Sequence, residues 1–254
     1  MKLGYPTHPR RDIVEEIEWI ASAGFDFVDL FLEPDKGTAE RVDAATVRSA
    51  LDAHGLGCVG HLAWYLPIGS AMREMRRAAI DTARTYLEVF GRIGMPWVTI
   101  HASWPTSMFT AEEGLAWQSE SLHEVEAAAR EFGVGLMYEP VGSPHETREN
   151  LEKLMNDHPD LGFHLDVGHF NLNRRNPLEF AQAFANRLVH VHLHDNDGSK
   201  DQHLPPGTGR IDWDTFVPGL KKVYDGTITL EIFVQERAYI TLARELFLKR
   251  WQSA

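Results

Sequence analysis

Eight short runs of apolar and β-branched residues, each followed by an amphipathic helical pattern, constrain this chain more than any other feature. The runs are KLGY (2–5), FDFVDLF (25–31), GCVGHLA (57–63), WVTIHA (97–102), GLMYEP (135–140), GFHLDVG (162–168), LVHVHLH (188–194) and TITLEIF (227–233). Between them, DIVEEIEWIASAG carries apolar residues at 13, 14, 17 and 20 with Gly24 as a stop, and MREMRRAAIDTARTYLEVFGRIG keeps helical spacing up to Gly94. Glycine repeatedly ends a helix just before a strand, at Gly24, Gly55 to Gly57, Gly94, Gly133 and Gly226. Eight βα units in 254 residues predict an α/β fold of the (β/α)8 TIM-barrel type, one domain over 1–254. A doubly wound open sheet would carry a glycine-rich phosphate turn after its first strand, and YPTHPRR (5–11) contains none.

In such a barrel, chemistry gathers at the C-terminal ends of the strands, so the informative question is where each strand stops being apolar. The third run ends at His61, the fourth at His101, the fifth at Glu139, the sixth at Asp166 with His169 one turn later, the seventh at His192 to Asp195, and the eighth at Glu231. A strand-end histidine or glutamate taken singly is an ordinary hydrogen-bonded or salt-bridged residue. Six strands delivering imidazole or carboxylate to one mouth are a different matter. Converging carboxylates repel one another unless protons or cations compensate, and neutral imidazoles do not. A divalent cation does. Mixed histidine and carboxylate donors without cysteine suit zinc or manganese first, then iron, cobalt or magnesium.

Composition narrows the setting. Twenty-five basic against 37 acidic residues give a net charge of −12, which disfavours phosphate backbones and anionic membranes as partners. Arg10-Arg11 and Arg174-Arg175 are the only short basic runs near expected loop ends, and they read as solvated charges. The single cysteine, Cys58, excludes an intrachain disulfide and fits a reducing compartment. MKLGYPTHPRRD lacks the apolar segment of a signal peptide, and no run approaches a membrane span, so the expectation is a cytoplasmic protein with its oligomeric state open, a homo-oligomer included.

The motifs GHLAWYLPIG (60–69), TIHAS (99–103), MYEPVG (137–142), FHLDVGHFNL (163–172), HLHD (192–195), DQHLPPGTGRIDW (201–213) and LEIF (230–233) together resemble the xylose isomerase-like TIM-barrel superfamily, over essentially the whole chain. That superfamily contains sugar isomerases and epimerases, inosose dehydratases and the apurinic-site endonucleases of family 2. Its one-metal epimerases imply Glu139, Asp166, His192 and Glu231 as metal ligands, the two glutamates also facing each other across substrate as acid and base, with His169 holding a substrate oxygen. Its endonucleases extend the quartet to three metals, and their nine positions match His61, His101, Glu139, Asp166, His169, His192, Asp201, His203 and Glu231. None is missing.

Strand alternation puts His190, His192 and His194 on one face. His190 reads as structural, His192 as a metal ligand, and His194 with Asp195 as groups that face substrate or support the residues that do. Trp64, Tyr65 and Trp104 offer aromatic faces for a sugar ring or for loop packing. Lys200 and Arg210 are candidates for an anionic substrate group. Gly207 to Gly209 lacks the lysine of a phosphate-binding loop and reads as a tight turn before Asp212 caps a helix. Three functions are carried forward: a metal-dependent isomerase or epimerase of a small carbohydrate or its phosphate, a multi-metal phosphodiesterase, and a non-catalytic sugar-binding barrel.

Overall fold

A computed structural model describes residues 1–254, the side chain of Arg174 excepted, so that half of the expected Arg174-Arg175 pair lies outside the described residues. Eight parallel strands close in sequence order: β1 Lys2–Pro6, β2 Phe27–Leu32, β3 Gly57–Leu62, β4 Trp97–His101, β5 Gly135–Glu139, β6 Gly162–Asp166, β7 Leu188–Leu193 and β8 Thr227–Leu230. The expected TIM barrel is the observed fold. Around it run α1 Ile13–Ser22, α2 Ala44–His54, α3 Arg73–Ile93, α4 Ala111–Glu131, α5 Arg148–Asp157, α6 Val167–Asn171, α7 Pro177–Ala183, α8 Trp213–Lys221 and α9 Arg237–Ser253. None of these helices, among the described residues, is long and apolar enough to cross a membrane.

Local chemistry sets the boundaries. Asp12 caps α1 by accepting from the amides of Val14 and Glu15, and Asp212 caps α8 through Thr215, as its position predicts. Gly94 closes α3 at φ +85°, a conformation that costs glycine nothing. Several strands stop earlier than their apolar runs. The sixth run continues to Gly168, but β6 ends at Asp166, because that carboxylate accepts from the amide of His169 at 2.7 Å and starts α6. The eighth run continues to Phe233, yet pairing ends at Leu230 and Glu231 passes into the mouth, its amide donating to Leu193 O.

The barrel interior departs from the apolar filling usual for this fold. Its base is apolar, with Phe27, Val59 and Met137 packed with Trp97 and Val189. Above it, Asp29, Thr99, His164, His190 and Thr229 are all fully buried, Thr99 bonded to His164, and Thr229 to both His190 and Asp29. Above them lie the predicted strand-end residues. Register aligns the layers: His101 pairs with Glu139, His164 with His190, Asp166 with His192, and His192 with Thr229.

Candidate metal centre and active site

Glu139, at the end of β5, is the hub of the mouth. His101 Nε2 lies 2.8 Å and His61 Nε2 3.4 Å from its Oε2, while His169 Nδ1 and His192 Nδ1 lie 3.6 and 3.7 Å from its Oε1. Glu231 Oε2 approaches His192 Nδ1 to 3.1 Å from the opposite wall, and Asp166 Oδ2 stands 3.9 Å from the same nitrogen. A third group surrounds Asp201: His169 Nε2 and His203 Nε2 lie 3.3 and 3.0 Å from Oδ2, and His194 Nε2 lies 3.3 Å from Oδ1. All nine residues of the resemblance therefore meet in one basin.

Three features of this basin suit divalent cations. First, both oxygens of Glu139, Asp166 Oδ2, His192 Nδ1 and His194 Nε2 are buried without a hydrogen-bond partner among the described residues; the close approaches lack hydrogen-bond geometry. Buried polar atoms left unpaired cost about 1–3 kcal/mol each, so a ligand that satisfies several at once is strongly favoured. Second, the 2.8–3.4 Å separations within the group His61, His101 and Glu139, and the 3.3 and 3.0 Å from Asp201 to His169 and His203, are near the ~3.3 Å between donors that each lie ~2.0–2.1 Å from one tetrahedral zinc ion. Third, the imidazole tautomers are preset. His61 Nδ1 donates to Leu62 O, His169 Nδ1 to Pro140 O and His203 Nδ1 to Glu231 O, at 2.8, 2.9 and 3.1 Å. A carbonyl only accepts, so each Nδ1 carries the proton and each Nε2 is turned into the site.

Electrostatics agree. Burial alone would push the imidazole of His203 down, but the carboxylates of Glu231 and Asp201 hold its proton up to about 9. His169 and His192 are likewise carried well above the ordinary histidine range against their burial, by Asp166 and by Glu231 with Glu139 respectively. Burial pushes Glu139 and Asp166 up, and the neighbouring histidines overcome it, His101, His164 and His192 at Glu139 and His169 and His194 at Asp166, leaving Asp166 at about 2. Burial lowers His101 and His164 themselves, so the protons that stand where cations would are those of His169, His192 and His203.

Sequence reasoning missed four supporting residues. Asp29 is the most consequential: its Oδ2 accepts from His192 Nε2 at 2.8 Å and from Thr229 at 2.9 Å, so the carboxylate orients His192 with Nδ1 facing the site. It was legible as the lone acid in the apolar run FVDLFL, two positions from inward Phe27 and Phe31. His164 shares the inward face of β6 with Asp166 and lies 3.3 Å from Glu139 Oε2. Asn196 ties Gly168 O to Asn171. Glu146, raised by burial, accepts from Trp104 Nε1, Val141 N and Ser143 N; it sits in a loop and gives no sequence signal.

Two expectations are corrected. Asp195 does not face substrate, because Asn196 N and Ile211 N occupy its Oδ1 and Gly207 N and Trp213 Nε1 its Oδ2. It shapes the segment that carries Asp201 and His203, where Gly207 turns at φ +91°. Arg175 is no solvated charge: it packs over Phe170 and donates to Glu146 O at 2.9 Å. His194 is fully buried among the donors around Asp166 and Asp201. Lys200 and Arg210 are exposed on the 196–212 segment. Trp64, Tyr65 and Trp104 line a cavity of about 500 Å³ with Ser103, Val141 and Ser143, over the ends of β3, β4 and β5, and neither cation reaches it.

These features define the class, a (β/α)8 barrel with a mouth of imidazoles and carboxylates. A model of the xylose isomerase-like TIM barrel matches residues 17–251, and the chain belongs to that family. A ketose 3-epimerase of Arthrobacter globiformis is 26% identical over 243 residues, covering 90% of this chain and 80% of that protein. An uncharacterized protein of Methanocaldococcus jannaschii is 28% identical over 160 residues, 62% of this chain and 63% of its own length, so the chain spans less than two-thirds of that relative. Among solved structures, a D-tagatose 3-epimerase-like protein superposes with a TM-score of 0.85 over 99% of this chain and 97% of the other, at 24% identity, a likeness of fold.

Proposed function

We propose that this chain is a metal-dependent isomerase or epimerase of a small carbohydrate, acting by proton transfer beside a polarised carbonyl. The observation that carries the reading is the convergence of two buried glutamates, Glu139 from β5 and Glu231 after β8, on the unpartnered Nδ1 of His192, with Asp166 beside them. Glu139, Asp166, His192 and Glu231 would hold a divalent cation. Bound there, the cation supplies positive charge that polarises a substrate C=O and acidifies the neighbouring C–H. One glutamate then takes that proton, and the other returns one from the opposite wall of the basin. Asp29 keeps His192 in place. Trp64 and Trp104 provide apolar faces for the sugar ring, and Glu146 fixes the Trp104 indole at 2.8 Å. The 26% identical ketose 3-epimerase supports a ketose as the substrate class.

The test is solvent deuterium incorporation at carbon next to the carbonyl, followed by NMR with a panel of ketoses and added Mn²⁺, Co²⁺ or Zn²⁺. Wild-type protein is expected to exchange, and Glu139→Gln and Glu231→Gln each to fall by about 100-fold or more. Undiminished exchange in both variants refutes the acid and base assignment. A second reading, phosphodiester hydrolysis, draws on one observation, the surplus of donors at His61, His101, Asp201 and His203 beyond the quartet. The net charge of −12 opposes a DNA substrate, and a metal-replete preparation that leaves abasic-site DNA intact removes that reading.

A further inference from the structure

We propose that the cavity over the ends of β3, β4 and β5 is a subsite for a second, uncharged sugar ring, so that the substrate is a ketose carrying a glycosidic partner rather than a free or phosphorylated monosaccharide. This rests on the isomerase reading above and names the substrate class within it. Size is the first ground. The cavity measures about 500 Å³ and is lined mainly by Trp64, Tyr65, Ser103, Trp104, Val141 and Ser143, with neither Glu139 nor Glu231 in its wall. The carbons that exchange protons must sit over those glutamates, so only the far end of a ketose enters the cavity. Ligand pockets of ~300–1,000 Å³ hold drug-sized molecules, about twice the dozen or so heavy atoms of one hexose. One hexose leaves most of this cavity to water.

The second ground is an aromatic wall that is exposed yet fixed. Trp64 is 62% and Tyr65 51% exposed, with ring centroids 5.7 Å apart. The turn that carries them is anchored on both sides. Leu62, Leu66 and Ile68 are buried, Leu66 N donates to Ala63 O, and Ile68 O accepts from Ser121 Oγ at 2.7 Å. A Cβ on Gly69 would lie 1.8 Å from Ser103 O, so the loop after β3 is pressed onto the loop after β4 at a contact that only glycine permits. In the same wall, the Trp104 indole is held by buried Glu146 and its ring backs onto Gly114, where a Cβ would meet it at 3.0 Å. Single apolar residues at a surface are ordinary, but neighbouring aromatics held rigidly over a cavity mark a binding face.

Charge decides the kind of ring. Among the described residues no lysine or arginine lines the cavity, and the acidic group behind its wall is Glu146, which accepts from Trp104 Nε1, Val141 N and Ser143 N. A phosphate would find no countercharge there. A neutral pyranose fits the same wall, its C–H face against the aromatic rings and its hydroxyls within a lining that includes Ser103 and Ser143. Because the carbonyl end of the ketose belongs over the glutamates, the glycosidic link falls at the opposite end of the chain.

The experiment compares solvent deuterium exchange, with added Mn²⁺, on three ketoses: fructose, isomaltulose, in which a glucosyl unit occupies the fructose hydroxyl farthest from the carbonyl, and fructose phosphorylated at that hydroxyl. Wild type, Tyr65→Ala and Trp64→Ala are measured side by side. Wild type is expected to favour isomaltulose over fructose by about 10-fold or more in kcat/KM, mainly through KM, and to disfavour the phosphate ester. Both substitutions remove exposed side chains and leave the fold intact, and each is expected to lower the isomaltulose-to-fructose ratio by about fivefold or more. A wild-type ratio within about twofold of unity, a ratio that neither substitution moves, or preference for the phosphate ester overturns the subsite. The two readings fail separately. Quenching of tryptophan fluorescence by isomaltulose that Tyr65→Ala weakens, without proton exchange in any ketose, refutes the isomerase and keeps the subsite, whereas exchange that the second ring does not improve refutes the subsite and keeps the isomerase.

Discussion

His190 and His192 lie two residues apart on β7, both fully buried and both aimed into the barrel, yet they belong to different kinds of environment. His190 has both ring nitrogens occupied, Nδ1 with Thr227 at 2.8 Å and Nε2 with Thr229 at 3.0 Å. Its pKa is lowered, burial outweighing Asp29, so the neutral ring is a cross-brace between β7 and β8. His192 has one nitrogen held by Asp29 and the other facing three carboxylates without a partner. A ring with both nitrogens satisfied can only support; a ring with a nitrogen left over can hold something that is not protein. The boundary between the two runs through a single strand.

The sharpest way to break this contrast is to delete each ring in turn. His192→Ala is expected to abolish proton exchange, at least about 1,000-fold, and to empty the quartet of metal, while the metal-free fold survives. His190→Ala should do the reverse, costing about 2–4 kcal/mol in urea unfolding through cavity and unpaired threonines while metal content is kept. Similar losses of stability in both would dissolve the distinction. Asp29→Asn sharpens it next: the amide preserves volume but weakens the grip on His192, and an affinity drop of about 10–100-fold in a metal titration is expected. A change below twofold would make Asp29 a packing residue.

Acidity gives a smaller and graded effect. In the metal-free protein His203 keeps its proton to about 9, held there by Glu231 and Asp201 against burial. Because the folded value lies above the ordinary 6.5, this proton's contribution to stability is complete below pH 6.5 and is lost as pH rises through 9. A bound cation must displace the same proton. Zinc affinity at the Asp201 group should therefore climb with pH up to about 9, with proton release measurable by calorimetry in buffers of different ionisation enthalpy. Flat affinity from pH 6 to 9 would mean that His203 is not a ligand.

Much of this architecture was legible because strand ends and fold period are local patterns. Eight alternations named the barrel, and the polar residues near the C-terminal end of each run located Glu139, Asp166 and His192 at the mouth. The missing parts are those whose meaning depends on neighbours far along the chain. Asp29 is one acid in an apolar run until β7 brings His192 to it across 163 positions. Asp195 follows the ligand motif directly, and nothing local says that residues 207, 211 and 213 will fill its oxygens. His194 lies buried on the expected face, and the room for its ring depends on Gly168, whose significance is the absence of a side chain.

At the base of the barrel the contrast reaches its other limit. The Tyr224 hydroxyl donates into the carbonyls of Val189 and Thr227 at 2.8 and 2.9 Å, where β7 and β8 begin, and burial pushes its pKa up to about 12. The folded value exceeds the ordinary 10.0, so the stabilisation is complete below pH 10 and declines as pH rises toward 12. Tyr224→Phe should cost about 1 kcal/mol at neutral pH, flatten the loss of stability between pH 10 and 12, and leave both metal content and proton exchange untouched. A Tyr224→Phe variant with altered metal content would show that base and mouth are coupled through β7 and β8, and the division of the interior into a supporting layer and a binding layer would then fail.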